Sequence, residues 1–139
     1  MIIRRADADT EAGVMPSEEL LREMGNYMEE MVKAGVMLAG EGLQPTSKAT
    51  LVDFQDGQPQ ITDGPFAEAK ELIAGFCIIQ AKSKEEALEW VKRWPAELDN
   101  NPTIEIRQVF EDDDFGEEFT PELREREERL RAESGNYGA

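Results

Sequence analysis

The residues best suited to chemistry are Asp63, Glu68, Lys70 and Glu71, close together in sequence, with Glu41 and Gln44 earlier in the chain. Asp63 is the candidate catalytic residue, as a base or a hydrogen-bond acceptor. Lys70 would hold a substrate anion or enolate, and Glu41 and Gln44 would orient it. Gly64, Pro65, Phe66 and Glu68 complete the expected ligand-binding set. The sequence has no histidine, which removes the commonest general base near neutral pH and the commonest metal ligand. Acid–base work then falls to carboxylates or lysines. A carboxylate serves as a base near neutrality when it is desolvated, so this reading requires a largely buried Asp63. The competing reading makes Asp63 a turn residue accepting a backbone N–H two or three positions on. The single cysteine, Cys77, excludes an internal disulfide and any multi-cysteine metal site. Inside an apolar strand it reads as a core residue. No metal and no other cofactor is expected, an oxygen-only set from Glu41, Asp63 and Glu68 being the one arrangement left open.

These side chains must be held by a sharp turn and the most apolar strand of the chain. In Asp63-Gly64-Pro65-Phe66, Pro65 fixes its own φ and restricts its neighbour. Glycine tolerates the angles that remain, and Phe66 supplies an anchor to bury. Residues 71–81 then read as extended, with Gly75 marking a bulge or a close approach. Upstream, residues 1–5 read as a short strand cut off by an acidic loop. Ser17 caps a helix whose Leu20, Leu21, Met24, Tyr27, Met28, Met31 and Val32 form one apolar stripe, ended by Gly35. Residues 36–39 read as a strand, followed by a tight, irregular segment over 40–45. Residues 50–54 and 60–62 flank the hairpin signal Asp56-Gly57. Ser83 and Glu86 form a capping box for a second helix carrying Ala87, Leu88, Val91 and Trp94, stopped by Pro95. Residues 104–110 read as the last strand, and 111–114 as a solvated acidic run. Thr120 caps a C-terminal helix with expected pairs Glu122/Arg126, Glu125/Arg129 and Glu127/Arg131. Phe115, Phe119, Leu123 and Leu130 would give that helix a narrow docking edge.

A chain of 139 residues fits one domain. Its formal net charge of −16 repels phosphate backbones and anionic lipid, so neither a nucleic acid nor a membrane is an expected partner. No stretch approaches the roughly 20 apolar residues of a membrane span, and no signal-peptide core is seen, so a cytoplasmic protein is expected. The order of elements implies an α+β fold: a ferredoxin-like antiparallel sheet with two helices on one face, plus an appended C-terminal helix. Residues 1–110 form the domain, and 111–139 an acidic linker and helical extension of it. Phe76, Ile78 and Gln80 alternate with Cys77, Ile79 and Ala81, which makes both faces of their strand largely apolar. The helices cover one face. The expected cover of the other is a second copy, in a homodimer built by sheet-to-sheet packing.

Three segments carry a resemblance: Gly40-Glu41-Gly42-Leu43 with Pro45, Asp63-Gly64-Pro65-Phe66-Ala67-Glu68 with Lys70-Glu71, and Ala87-Leu88-Glu89-Trp90. They resemble the YCII-related family in its DGPF-motif branch, and the likeness spans residues 1–110. The resemblance implies a dimeric α/β-barrel of ferredoxin-like subunits and a cytoplasmic bacterial protein. Members mostly have no assigned biochemical role and are often encoded beside alternative sigma factors. Enzymes of similar fold act on small aromatic or lactone substrates, an analogy at the level of fold. The chemistry proposed for the family pairs a histidine with an aspartate. Asp63 matches the aspartate, whereas Gln44 stands where many relatives have a histidine, and Ala69 replaces a common threonine. Two functions follow. One is a small-molecule site, catalytic or binding, that uses carboxylates near the turn and takes a small anionic or aromatic ligand. The other is a non-catalytic regulatory or interaction protein, acting as a dimer and presenting its charged C-terminal helix to a basic partner.

Overall fold

A computed structural model describes residues 1–68 and 71–135. The chain runs β1 (Ile2–Arg5), α1 (Ala8–Glu11), α2 (Glu18–Lys33), β2 (Met37–Gly42), β3 (Thr50–Gln55), β4 (Gln58–Asp63), β5 (Ile73–Ile79), α3 (Lys84–Val91), β6 (Ile104–Ile106) and α4 (Pro121–Ser134). The main sheet has the order β2-β5-β1-β6, with every neighbouring pair antiparallel. Two β-α-β units, β1-α2-β2 and β5-α3-β6, thus interleave into the expected α+β, ferredoxin-like sheet. The hairpin β3-β4 is inserted between them and forms a separate two-stranded sheet.

Helix α2 forms where its stripe and caps place it. The Ser17 hydroxyl accepts from the Leu20 N–H at 3.1 Å, and Gly35 follows the helix with φ 69°. Tyr27 and Met31 on its inner face are buried and pack with Val36, Met37, Ile79, Trp90 and Trp94. Helix α3 ends at Val91, before the residue preceding Pro95. Trp94 still reaches the core from the turn beyond the helix, meeting Tyr27 edge to face at 5.8 Å. Cross-strand register puts Ile2 beside Cys77 and Gly40 beside Cys77, so these residues share the helix-covered face. Ile3, Phe76 and Ile78 take the opposite face.

Several boundaries differ from those read in the sequence. The last strand stops at Ile106 instead of Phe110, because Arg107 N–H meets Met1 O and the ladder with β1 ends there. Strand β5 begins at Ile73 instead of residue 71, beside a register shift between Arg4 and Arg5. Strand β2 extends through Gly42, so Glu41 sits in a strand and not in a loop. The acidic segment after β1 folds into the single turn α1. A reciprocal cap explains it: Thr10 N–H donates to Asp7 Oδ1 at 2.8 Å, and Asp7 N–H donates to Thr10 Oγ1 at 2.9 Å.

The hairpin is well formed and unaccompanied. Asp56 and Gly57 take φ of 50° and 76°, the pair of positive angles that a two-residue turn between twisted strands demands. All six residues of β3 and all six of β4 are exposed. Helix α4 begins on a Phe110-Phe115-Phe119 stack with ring centroids 5.2 and 5.0 Å apart. Of its expected ion pairs, Glu127–Arg131 forms at 3.1 Å, whereas Arg129 meets Glu133 at 3.9 Å in place of Glu125. Among the described residues Glu122 and Arg126 make no ion pair. Exposed pairs differ by only a few tenths of a kcal/mol, so the choice among them is nearly free. The docking edge expected on this helix is open, since Leu123 and Leu130 remain exposed.

Candidate functional site

The turn that carries Asp63 is fastened by its backbone. Asp63 is the last residue of β4 and is exposed. Its carboxylate accepts the Thr50 hydroxyl at 2.9 Å, directly across the hairpin ladder. Within one chain it is therefore exposed where a base was expected to be buried, and it takes a cross-strand hydroxyl where a nearby turn N–H was expected. The chain is instead closed by Gly64 N–H donating to Ala49 O at 2.8 Å, with the Gly64–Pro65 bond cis. Behind it, Thr46 joins three segments. Its hydroxyl donates to Glu11 Oε2 at 2.5 Å and accepts the Phe66 N–H at 3.1 Å, while its own N–H donates to Glu11 Oε1 at 3.2 Å. Sequence reasoning singled out neither Thr46 nor Glu11. Phe66 is half-buried, as an anchor should be.

The other expected site residues do not converge on this turn. Gln44 is exposed and accepts from Lys48 Nζ at 3.3 Å. Glu41 lies opposite Phe76 in the ladder, which points its side chain to the face away from the helices. Glu68 is exposed with φ 54°, Pro65 is exposed, and Lys70 lies outside the described residues. Among the described residues no three Asp, Glu, Cys or His side chains gather as a metal site, so the Glu41–Asp63–Glu68 arrangement does not form.

A cavity lies elsewhere, between α2 and the sheet. It has a volume of about 280 Å³. Met24, Tyr27, Met28 and Met31 form its roof, Trp94 an end wall, and Met37, Cys77 and Arg4 part of its floor. The rest of the floor is bare backbone, because Gly40, Gly42 and Gly75 meet there across β2 and β5. A Cβ on Gly42 would touch nothing within 4 Å, so that position opens directly into the space. A Cβ on Gly75 would come to 3.0 Å from Glu41 O, the close approach anticipated at this glycine. Gly42 and Met28 are exposed, which places the mouth at the β2 edge of the sheet. The signal in the sequence was the alternation Gly40-x-Gly42: in a strand, two such glycines strip side chains from one face.

The polar groups around this cavity are tied to one another. Arg4 Nε and Nη2 donate to the two carboxylate oxygens of Asp99, both at 2.8 Å, and Nη2 also reaches Asp7 Oδ2 at 3.2 Å. Arg4 Nη1 donates to Arg5 O at 2.8 Å, and Trp94 Nε1 to Asp99 Oδ2 at 2.9 Å. The Asp99 bond above all holds the Arg4 guanidinium protonated beyond its ordinary range. For Asp7, burial works upward, but the Thr10 N–H and Arg4 together outweigh it and hold the carboxyl below its usual value. Burial pushes the Cys77 thiol up and the Tyr27 hydroxyl up to about 12. Tyr27 donates to Trp90 O at 2.9 Å. None of Gln44, Asp63, Gly64, Pro65, Phe66 or Glu68 lines the cavity; among the described residues of the expected set Glu41 alone borders it.

Comparison with known sequences bears on both regions. An uncharacterised protein of Rhizobium meliloti (strain 1021) is 33% identical over 92 residues, which cover 66% of this chain and 74% of that relative. The sequence profile of the YCII-related domain matches residues 1–113, from β1 past the end of the sheet, and the chain belongs to the YCII-related family.

Proposed function

We propose that the protein binds a small, largely apolar molecule in the cavity beneath α2, and that the Asp-Gly-Pro-Phe turn is structural. The observation that carries this reading is the glycine-floored space of about 280 Å³, walled by thioethers and aromatic rings. An apolar cavity of about 150 Å³ holds one benzene, so this one has room for about two fused rings. Methionine walls adapt to the shape of such a guest. The DGPF-branch assignment, a cytoplasmic location and the status of 111–139 as an extension of one domain belong to the same proposal. The test is calorimetric titration with indole. Gly42→Phe points a ring into open space, and the expected result is at least a tenfold loss of affinity with an unchanged far-UV spectrum. Equal binding by the variant would remove the cavity as the site.

The functional unit in this proposal is a homodimer, and the hairpin supports it. Val52, Phe54 and Ile61 lie on one face of β3-β4 and are 49%, 72% and 71% exposed. Burying such side chains contributes about 1.5–3 kcal/mol each. The sheet-to-sheet contact has narrower support. Ile3 and Ile78, on the face opposite α2, are each only 8% exposed within one chain. Half-buried Phe76 and the hairpin therefore offer the partner more surface than the middle of the sheet.

A further inference from the structure

We infer that the ligand of the α2 cavity is an uncharged aromatic molecule, and that Asp7 and Asp99 make the site reject anions by neutralising Arg4. This rests on the cavity being a binding site. Among the described residues Arg4 is the one cation on the cavity wall, and its position would ordinarily mark the seat of a ligand carboxylate. Four of its five N–H donors are already engaged. Asp99 takes Nε and Nη2 in a two-point contact, Asp7 takes Nη2 again, and Arg5 O takes Nη1. The side chains of Arg4 and Asp99 are each 11% exposed, so this pair is shielded from solvent and held in place. One guanidinium between two carboxylates leaves a local balance of one negative charge, in a chain whose formal net charge is −16.

Two further donors on the wall are engaged as well. Trp94 Nε1 is engaged by Asp99 and the Tyr27 hydroxyl by Trp90 O. Among the described residues no buried side-chain nitrogen or oxygen lacks a partner. Cys77 adds an uncharged thiol, since burial raises its pKa. What faces the guest is therefore mostly carbon, sulfur and ring edges, with the backbone of Gly40, Gly42 and Gly75 in the floor. Such walls cannot replace the hydration of an ion, whatever its sign. They can match a flat apolar shape, with sulfur–aromatic contacts from Met24, Met28 and Met31. Glu41 does not alter this, because its side chain leaves on the opposite face of β2.

The test compares indole, indole-3-carboxylate and tryptamine against the full-length protein by isothermal titration. The expected result is that indole binds and that both charged analogues bind at least ten times more weakly. Asp7→Asn should then narrow the gap between indole and the carboxylate at least threefold, since asparagine caps α1 as aspartate does but returns part of the Arg4 charge. Binding of indole-3-carboxylate or tryptamine as tight as that of indole would overturn this inference while leaving the cavity a site. So would an unchanged gap in Asp7→Asn. No binding by any of the three compounds would instead overturn the cavity proposal on which it rests.

Discussion

The carbonyl oxygen of Thr46 occupies the place where a side chain on Gly64 would begin. A Cβ built on Gly64 would fall 1.7 Å from that oxygen and 2.8 Å from the Thr46 carbonyl carbon. Both obstacles are backbone, so no rotamer change relieves them. Gly64→Ala must therefore push the turn away from residues 46–49 and break the Gly64–Ala49 hydrogen bond. The expected cost is about 3 kcal/mol in urea denaturation, at the upper end of overpacking effects. Gly42→Ala is the contrast, because nothing lies within 4 Å of its Cβ and its stability should stay within about 1 kcal/mol of the parent. Equal effects of the two substitutions would contradict the tight passage at Gly64.

Asp63→Asn should be nearly silent. The carboxylate is exposed and its recorded partner is the Thr50 hydroxyl, a contact the amide oxygen can keep. Stability should change by less than about 0.5 kcal/mol, and indole affinity should not change. A large loss of binding would instead support Asp63 as a site residue and contradict the structural role proposed for the turn.

The hairpin face gives a prediction about assembly. Phe54→Glu combined with Ile61→Glu places two charges on the surface assigned to the partner. Sedimentation equilibrium at micromolar concentration should show the parent as a dimer and the double variant as a monomer. Circular dichroism should be unchanged, since among the described residues β3 and β4 pair only with each other. A parent that sediments as a monomer would end the dimer proposal.

Tyr27 supplies a pH dependence with a definite sign. Its hydroxyl is raised from 10.0 to about 12, chiefly by burial. Below pH 10 the folded and unfolded chains both keep the proton, so the buried hydroxyl's contribution is intact. As pH rises from there towards 12, the unfolded chain releases the proton first and stability falls, by up to about 3 kcal/mol. Tyr27→Phe should lose about 1 kcal/mol at neutral pH with the Trp90 hydrogen bond, yet show a flatter alkaline decline. Urea midpoints from pH 8 to 11.5 measure both effects, and parallel curves would refute the assignment.

Much of the architecture was written in short-range patterns. Ser17 and Ser83 announced α2 and α3, and Asp56-Gly57 the hairpin, because caps and tight turns depend on adjacent residues alone. The strand ends at Ile73 and Ile106 were not legible, since each is set by where a distant partner's ladder stops. The proposed site was less legible for the same reason. Asp63, Glu68 and Lys70 drew attention by their closeness in sequence. The cavity instead depends on Arg4, Gly42, Gly75 and Trp94, which only the sheet and its covering helix bring together. Thr46 was hidden too, because its value lies in reaching Glu11 and Phe66 at once.

The bond from Gly64 N–H to Ala49 O has one more consequence. It ties the two ends of residues 50–63 together at the hairpin's base, at 2.8 Å, before either end enters the four-stranded sheet. Everything beyond that clasp is an autonomous cassette, whose length and tip chemistry can drift without disturbing the register of β2 against β5. The chamber beneath the helix therefore owes nothing to how long that loop is or what its tip carries.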